Sequence, residues 1–532
     1  MNFEAFAPLQ LDAAALLQLQ QGYLKDMQAL ISSGLPSLTQ PVAETRTDRR
    51  FASEAWAANP AAIFGSKLYL LNARTMMQMV DCVQADEKTK ARLRFATEQQ
   101  IAAASPSNFL AFNPDALKKA ADTQGQSIAQ GMQNLASDIR QGHMSMTDES
   151  QFEVGRNVGT TEGAVVFENE FFQLIEYKPL TKQVHEKPFL VIPPCINKFY
   201  ILDLQPANSM VRHLVSEGHR TFVVSWRNPD ESMKDKTWDD YIEHAAIKAI
   251  ANTAALTGVK QINALGFCVG GTILGTALAV LAARKQKPVA SATFLTTFLD
   301  FSDTGILDIF IDEASVKKRE QQYANGGLLK GQELASTFSF LRPNDLVWNY
   351  VVGNYLKGET PPPFDLLYWN SDATNLPGPF YAWYLRNTYL ENNLRKPGKL
   401  NVCGQKLDLT KIDIPTYIYG SREDHIVPIS GAYQSAHILS GKKRFVMGAS
   451  GHIAGVINAP AAKKRSHWIG KENHFPATQA QWLQSAIEHP GSWWTDWFAW
   501  LKPQAGKLIA APRNYSAKAI EPAPGRYVKA KA

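Results

Sequence analysis

From residue 264 to residue 272 the chain reads Ala264-Leu265-Gly266-Phe267-Cys268-Val269-Gly270-Gly271-Thr272. An apolar run precedes this stretch, and a helical pattern of small residues follows it. The pattern G-x-C-x-G-G predicts a sharp strand-to-helix turn, because Cβ atoms at Gly266 and Gly270 would clash there. Such a turn lifts Cys268 out at a helix N-terminus, where the helix dipole favours the thiolate. A buried, inert cysteine beside a packing turn is the alternative, and the rest of the chain must decide.

Composition sets limits on the class of protein. With 532 residues the chain is long enough for two domains or more. A net charge of +6 is too weak to indicate nucleic-acid binding, although it suits an anionic substrate. The four cysteines are widely spaced, which predicts neither a metal site nor a disulfide framework. No apolar run reaches 18 residues and the first residues do not resemble a signal peptide, so we expect a cytoplasmic protein without a membrane span.

Residues 1–150 predict a helical N-terminal domain, because they are rich in Ala, Gln and Leu. Asp12 is placed to cap a helix that reaches Leu30, and further helices are predicted over 67–79 and 114–139. The apolar stripes of these helices fit a domain core or a subunit interface. Adhesion to a hydrophobic surface is the alternative. The polar residues 144–150 read as a linker.

Residues 151–532 have a different pattern, in which apolar segments typical of strands alternate with helical segments. After a hairpin around residues 168–170, the predicted strands are 188–192, 220–226, 262–267, 290–297, 415–419 and 444–447. Helical patterns fill 209–217, 238–256 and 272–284, with Thr237 as the cap of the second. This alternation predicts an α/β domain with a mostly parallel sheet and helices on both faces. An aromatic-rich insertion over about 300–414 is too long for a loop, and we expect a helical cap subdomain over about 300–400.

Two loops complete a candidate catalytic constellation with Cys268. Asp424 follows the strand that ends at residue 419, and His452 follows the one that ends at residue 447. The order nucleophile, acid, histidine is that of the α/β-hydrolase fold, and parallel strands bring their carboxyl ends to one edge of the sheet. His425 competes with His452 and Glu423 competes with Asp424, but the spacing of the two loops favours Asp424 and His452.

An oxyanion hole needs two backbone N–H groups. Val269, directly after the nucleophile, should supply one. The loop after the first parallel strand, Pro193-Pro194-Cys195-Ile196-Asn197-Lys198, should supply the other. Prolines carry no N–H, so Ile196 or Cys195 is the expected donor, and the Cys195 thiol is expected to be a bystander.

Several long motifs resemble polyhydroxyalkanoate synthases of the single-subunit class I type. They lie at 48–56, 193–204, 224–230, 266–271, 368–372, 375–378, 419–428, 448–458 and 491–494. The resemblance covers nearly the whole chain, including residues before and after the predicted sheet. It places Trp369 near the active site or a dimer contact, with the core of the cap as the alternative.

The resemblance implies polymerisation of (R)-3-hydroxyacyl-CoA, with short-chain monomers such as 3-hydroxybutyryl-CoA favoured, into a polyester with release of CoA. It implies an acyl-Cys268 intermediate, His452 as general base and a part for Asp424 in activating the incoming hydroxyl, although Asp424 could instead orient His452. No cofactor is expected, since CoA belongs to the substrate. We expect a homodimer at the surface of polyester granules, where granule-associated proteins could be further partners.

Two other functions compete with the synthase. One is a cysteine-dependent thioesterase or hydrolase, because an acyl-cysteine open to water would hydrolyse; a cap of aromatic residues has a reason to exclude water. The other is a non-catalytic protein that coats granules through its N-terminal helices. Lys463, Lys464 and Arg465 could meet CoA phosphates or form a solvated charge cluster.

Overall fold

The computed structural model describes residues 10–32, 47–471 and 473–532. The chain divides into two compact units. One comprises residues up to 149 together with 336–364, and the other comprises 150–335 together with 365–532. Residues 336–364 come from the middle of the predicted insertion, so the insertion contributes to both units.

The first unit is helical in its described part. Its helices are Ala13–Ser32, Glu54–Ala57, Pro60–Asp81, Glu87–Ala103, Pro114–Asp122, Gln126–Gln141, Asn344–Trp348 and Val351–Leu356, with short 3-10 turns at Pro106–Asn108 and Leu110–Phe112. Gln10–Leu11 pairs with Val83–Gln84. Asp12 caps the first helix as predicted, because its Oδ1 accepts the N–H groups of Ala14 and Ala15 at 3.0 Å. Of the helices in the described ranges, none combines the length and the apolar character that a bilayer crossing requires.

The single helix predicted over 114–139 is wrong, since two helices occupy this stretch. Gln124 and Gly125 adopt left-handed conformations with φ of 54° and 84°. The Gly125 N–H bonds back to the Ala120 carbonyl at 2.7 Å, which closes the first helix in a Schellman-type turn. Glycine tolerates this conformation without a Cβ clash, so the chain restarts as a second helix.

Within the described ranges, eleven strands of the second unit form one mixed sheet. Across the sheet the order is Ile487–Pro490, Ser466–Ile469, Lys443–Gly448, Thr416–Ser421, Val289–Leu295, Ile262–Phe267, Phe189–Ile192, Thr221–Trp226, Phe172–Tyr177, Gly163–Glu168 and Glu521–Pro522. The six neighbouring strands from 443–448 to 221–226 are parallel, and the strands on either side of them are antiparallel. The predicted α/β class, parallel sheet and hairpin are therefore confirmed.

Helices cover the sheet and form the insertion. They are Met210–Ser216, Trp238–Asp240, Tyr241–Ile247, Lys248–Thr257, Val269–Ala283, Glu313–Gln322, Gly331–Phe340, Asp365–Ser371, Gly378–Tyr384, Leu385–Leu390, Ile429–Ile438, His452–Val456, Gln479–Ser485 and Trp494–Leu501. Shorter 3-10 turns lie at Phe199–Asp203, Glu231–Met233, Gly305–Phe310, Leu409–Lys411, Pro460–Ala462, Lys502–Gln504 and Tyr527–Lys529. Small two-stranded pairs join Gln183–His185 to Leu508–Ala510, Leu328–Leu329 to Leu376–Pro377, and Asn401–Val402 to Gln405–Lys406.

Local signals account for several of these boundaries. Thr237 and Asp240 form a capping box at the start of the helical run 238–257, whose middle part is π-helical. The strand predicted over 290–297 ends at Leu295, because Thr296 has φ of 40°. The helix Val269–Ala283 is buried from Val269 to Leu281, so the element that follows Cys268 lies inside the unit.

Candidate active site

Cys268 occupies a strained turn between the strand Ile262–Phe267 and the helix Val269–Ala283. Its backbone has φ of 53° and ψ of −129°, a conformation that residues with a side chain rarely adopt. The surrounding structure holds it there, since the Cys268 N–H donates to the Leu295 carbonyl at 2.9 Å. The Cys268 carbonyl accepts the Gly271 N–H at 2.9 Å and the Thr297 hydroxyl at 3.1 Å. The sequence pattern correctly predicts this sharp turn.

The glycines on either side of Cys268 are required by close backbone contacts. A Cβ on Gly266 would lie 2.4 Å from the Gly271 Cα. A Cβ on Gly270 would lie 2.3 Å from the Ile192 carbonyl oxygen and 2.5 Å from that of Pro193. Gly270 therefore lets the start of the nucleophile helix touch the loop that follows the strand Phe189–Ile192.

We expect Gly270→Ala to lower the free energy of unfolding by about 1–3 kcal/mol, because rigid backbone must shift to admit the Cβ. Gly65→Ala is the matched control. Gly65 lies in the helix Pro60–Asp81, and a Cβ added there would meet no atom within 4 Å, so alanine should be neutral or stabilising. Urea unfolding of both variants measures the difference. Equal stability of the two variants would show that the contact at Gly270 is unimportant.

The structure brings Asp424 and His452 together behind Cys268. His452 Nδ1 lies 2.6 Å from Asp424 Oδ2. The other oxygen, Asp424 Oδ1, accepts the N–H groups of Ile426 and Val427 at 2.8 Å each. Cys268 lies near enough to the imidazole to raise the pKa of His452. Because Asp424 binds Nδ1, Nε2 is the ring nitrogen that is left for the sulfur. Both His452 and Asp424 are buried, so this series of contacts is shielded from solvent.

Glu423 and His425 are the alternatives that the sequence offers for Asp424 and His452. Glu423 is exposed and pairs with Arg422 at 3.0 Å. His425 is half-buried, and it is His452 whose ring contacts Asp424. The geometry therefore agrees with the preference for Asp424 over Glu423 and for His452 over His425.

The electrostatic environment favours a charged His452. Burial alone would lower its pKa, but the charges of Asp424 and Cys268, together with their hydrogen bonds, raise the pKa to about 10. The raised pKa makes this buried imidazole a stronger base than a free histidine.

This pKa has a consequence for stability. The folded-state value of His452 is raised above 6.5, so its contribution is fully present below pH 6.5 and is lost as the pH rises through about 10. We expect the stability advantage of the wild type over His452→Gln to shrink between pH 7 and pH 10. Urea unfolding at both values measures it, with His489→Gln, at an exposed position, as control. An advantage that is the same at both pH values would contradict this assignment.

The loop 193–198 is fixed by three side chains that each bind one of its carbonyl groups. Trp226 Nε1 donates to the Pro193 oxygen at 2.9 Å, Thr374 Oγ1 donates to the Cys195 oxygen at 3.0 Å, and Trp369 Nε1 donates to the Lys198 oxygen at 2.7 Å. None of the hydrogen bonds found in the described part of the chain uses the Ile196 N–H. As the first residue of its helix, Val269 has no intrahelical acceptor for its N–H. Both predicted oxyanion donors are therefore unengaged.

The structure also places Cys195, Trp369 and the basic residues 463–465. Cys195 is buried, and burial raises the pKa of its thiol, as does the charge at Cys268. It stays a neutral thiol, in agreement with a bystander role. Trp369 is buried as well, and its indole contacts the loop 193–198. Lys463, Lys464 and Arg465 are exposed.

Aromatic residues of the insertion pack beside the site. Trp238 stacks on Phe380, Trp383 and Tyr384 with ring centroids 5.1, 4.8 and 5.4 Å away. Tyr389 contacts Tyr384 edge to face at 5.5 Å. Burial and neighbouring charges, that of Cys268 among them, raise the pKa of both phenols. The sequence predicts an aromatic-rich insertion here, but no sequence signal singles out these two tyrosines.

A mostly parallel sheet, a cysteine on a strained strand–helix turn, and an aspartate and a histidine after later strands define an α/β-hydrolase fold. A family model described as "alpha/beta hydrolase fold" matches residues 188–459. A second, described as "Poly-beta-hydroxybutyrate polymerase (PhaC) N-terminus", matches residues 47–214.

Full-length relatives narrow the class. "Poly(3-hydroxyalkanoate) polymerase subunit PhaC" of Cupriavidus necator is 59% identical over 100% of this chain and 91% of its own length. "Poly(3-hydroxyalkanoate) polymerase" of Methylorubrum extorquens is 40% identical over 98% of this chain and 88% of its own length. "Poly(3-hydroxyalkanoate) polymerase subunit PhaC" of Rhizobium etli is 39% identical over 92% of this chain and 77% of its own length. The chain belongs to the poly(3-hydroxyalkanoate) polymerase family, whose members are acyltransferase-type enzymes.

Proposed function

We propose that this chain polymerises (R)-3-hydroxyacyl-CoA into a polyester, with release of CoA, through a covalent acyl-Cys268 intermediate. The observation that carries the proposal is the buried Asp424–His452 hydrogen bond of 2.6 Å near Cys268, which lies on a strained turn. The names of the relatives from Cupriavidus necator and Methylorubrum extorquens support the polymerase activity. The resemblance to class I enzymes supports a short-chain monomer, 3-hydroxybutyryl-CoA.

The first step acylates the cysteine. His452 Nε2 takes the proton of Cys268, and the thiolate attacks the thioester carbonyl carbon. The N–H groups of Val269 and Ile196 stabilise the negative oxygen that forms. When this intermediate collapses, the bond to the CoA sulfur breaks, and the His452 imidazolium gives its proton to the leaving thiolate. One thioester has replaced another, so the acyl group stays activated.

The second step transfers the acyl group to a hydroxyl. The incoming 3-hydroxyl loses its proton to His452 as its oxygen attacks the acyl-Cys268 carbonyl. The C–S bond breaks, an ester forms and Cys268 regains a proton from His452. The same imidazole thus serves both steps, since it is the base that contacts the sulfur.

For Asp424 we propose the role of orienting His452, although the family resemblance alone favours activation of the hydroxyl. Both of its oxygens are engaged, Oδ2 by His452 and Oδ1 by two backbone N–H groups. A carboxylate held in this way, fully buried behind the imidazole, fixes the tautomer that presents Nε2 to the sulfur.

Water is the chemical competitor of the hydroxyl. The aromatic cluster around Trp238, Phe380 and Tyr384 is buried, and Tyr389 packs against Phe298 and Phe301 with centroids 6.3 and 5.0 Å away. An apolar wall of this kind supports transfer to a hydroxyl over hydrolysis, because it restricts access of water to the acyl-cysteine.

The assay that tests the proposal gives purified protein (R)-3-hydroxybutyryl-CoA and measures free CoA and insoluble polyester. The account predicts that both form together. Free CoA with only soluble 3-hydroxybutyrate would replace the synthase with a thioesterase. The absence of CoA release would favour a non-catalytic protein that coats granules.

We further propose that the chain works as a homodimer in the cytoplasm at the surface of polyester granules, where granule-associated proteins are further partners. Exposed apolar side chains on the first helix support contact with a polyester surface: Leu17, Leu24 and Ile31 are 55%, 65% and 63% exposed. Sedimentation of the protein with purified granules, with and without serine at these three positions, tests the contact. Equal sedimentation of the two proteins would remove the first helix from it.

A further inference from the structure

One peptide group of the loop 193–198 contains both the Cys195 carbonyl and the Ile196 N–H. In a trans peptide these two groups point in opposite directions. Whatever binds the Cys195 oxygen therefore also decides where the Ile196 N–H points. This N–H is the second donor of the oxyanion hole in the proposed function.

The hydroxyl of Thr374 binds the carbonyl of this peptide and the N–H of the next one. Thr374 Oγ1 donates to the Cys195 oxygen at 3.0 Å and accepts the Asn197 N–H at 2.8 Å. Asn197 has φ of 61°, so the loop turns through the left-handed region directly after Ile196. The two bonds thus hold a strained turn and prevent the peptide 195–196 from rotating.

Thr374 lies in the segment 369–375, which contacts the loop at further points. Trp369 Nε1 donates to the Lys198 oxygen at 2.7 Å, and Asn197 Nδ2 donates to the Trp369 oxygen at 3.3 Å. Thr374 itself is 4% exposed, so no water replaces its hydroxyl easily. The inserted region thereby reaches the loop that faces the nucleophile.

We propose that Thr374 is a positioning residue that aims the Ile196 N–H at the oxyanion formed on the substrate carbonyl. The proposal rests on the proposed function, because it concerns the stabilisation of that oxyanion. It means that the oxyanion hole is complete only when the segment 369–375 lies on the loop 193–198.

Thr374→Val tests this with little change of volume, since a methyl replaces the hydroxyl. Removal of one oxyanion-hole donor lowers kcat by about 10²–10³-fold, and loss of its aim should cost somewhat less, about 10–100-fold. KM for (R)-3-hydroxybutyryl-CoA should change little, because the oxyanion exists only after attack. Thr374→Ser keeps the hydroxyl and should restore most of the wild-type kcat.

Two control variants separate this role from general loosening. Thr253→Val removes a buried hydroxyl that donates to the Ala249 oxygen at 2.8 Å within a helix. Tyr200→Phe removes a bond to Asp372 Oδ2 of 2.9 Å, which ties the same inserted segment but leaves the peptide 195–196 untouched. Both variants should keep kcat within a few-fold of the wild type.

A second readout concerns the sulfur alone. Alkylation of Cys268 by iodoacetamide, followed by mass spectrometry of its peptide, needs no oxyanion hole and should proceed equally fast in the wild type and in Thr374→Val. Wild-type kcat in Thr374→Val, an equal loss in Tyr200→Phe, or slowed alkylation of Cys268 would each overturn the proposal. If the wild type itself releases no CoA, it is the proposed function that fails.

Discussion

Replacing Cys268 with alanine is expected to abolish polyester formation, with a loss in rate of at least about 10⁴-fold. The reason is that the proposed acyl intermediate needs a sulfur at this position, and alanine offers His452 no group to activate. The fold should survive, because alanine is smaller and the strained turn is held by backbone bonds to Leu295 and Gly271. Release of CoA from (R)-3-hydroxybutyryl-CoA measures the loss, and circular dichroism checks the fold.

Cys403→Ala is the matched control for this variant. Cys403 is half-buried, and its thiol donates to the Asp239 carbonyl at 3.5 Å. It should retain nearly full activity. If Cys268→Ala polymerises at the wild-type rate, the nucleophile has been assigned to the wrong residue.

Replacing Asp424 with asparagine is expected to slow both chemical steps by about 10³–10⁴-fold, the cost of losing the carboxylate that orients a catalytic histidine. Asparagine retains the shape but removes the charge that, with Cys268, raises the pKa of His452. The N–H groups of Ile426 and Val427 hold the one amide oxygen, so asparagine presents an NH₂ donor to His452 Nδ1 where Oδ2 was the acceptor. The tautomer that keeps Nε2 facing the sulfur is then no longer favoured. Acylation of Cys268 should therefore fail together with transfer.

A rapid-mixing experiment separates the two roles considered for Asp424. The initial burst of CoA reports acylation, and the later formation of ester reports transfer to the hydroxyl. If Asp424 orients His452, the burst is slowed as much as the later phase. A full burst followed by arrested polymerisation would instead assign Asp424 to the hydroxyl. Glu423→Gln, at the exposed neighbouring position, should change neither phase.

The parallel strands and the constellation at their ends follow from sequence reasoning for a physical reason. Cys268 directly follows a short apolar strand, and Asp424 and His452 lie three and four residues beyond the ends of theirs. Parallel strands in one sheet share one carboxyl edge. The glycines around Cys268 mark close contacts that no other residue permits. The sequence alone therefore predicts that these three residues lie close together at one edge of the sheet.

Other parts depended on contacts between distant residues. Thr374 is separated by 179 residues from Cys195, and nothing in its local sequence marks its hydroxyl as a partner of that carbonyl. The contact between Tyr384 and Tyr389 near Cys268 has no local sequence signal either, because the insertion contains many aromatic residues that could form such a pair. The apolar spacing continues through Gly125 and predicts one helix, although the left-handed backbone there ends the first helix and starts a second.

The most direct test of the account is the identity of the acylated residue. The protein is mixed with a limiting amount of (R)-3-hydroxybutyryl-CoA, quenched in acid within the burst, digested and analysed by mass spectrometry. The account predicts a 3-hydroxybutyryl thioester on the peptide that contains Cys268, formed in proportion to the CoA released. An unmodified Cys268 peptide alongside a full release of CoA would contradict it.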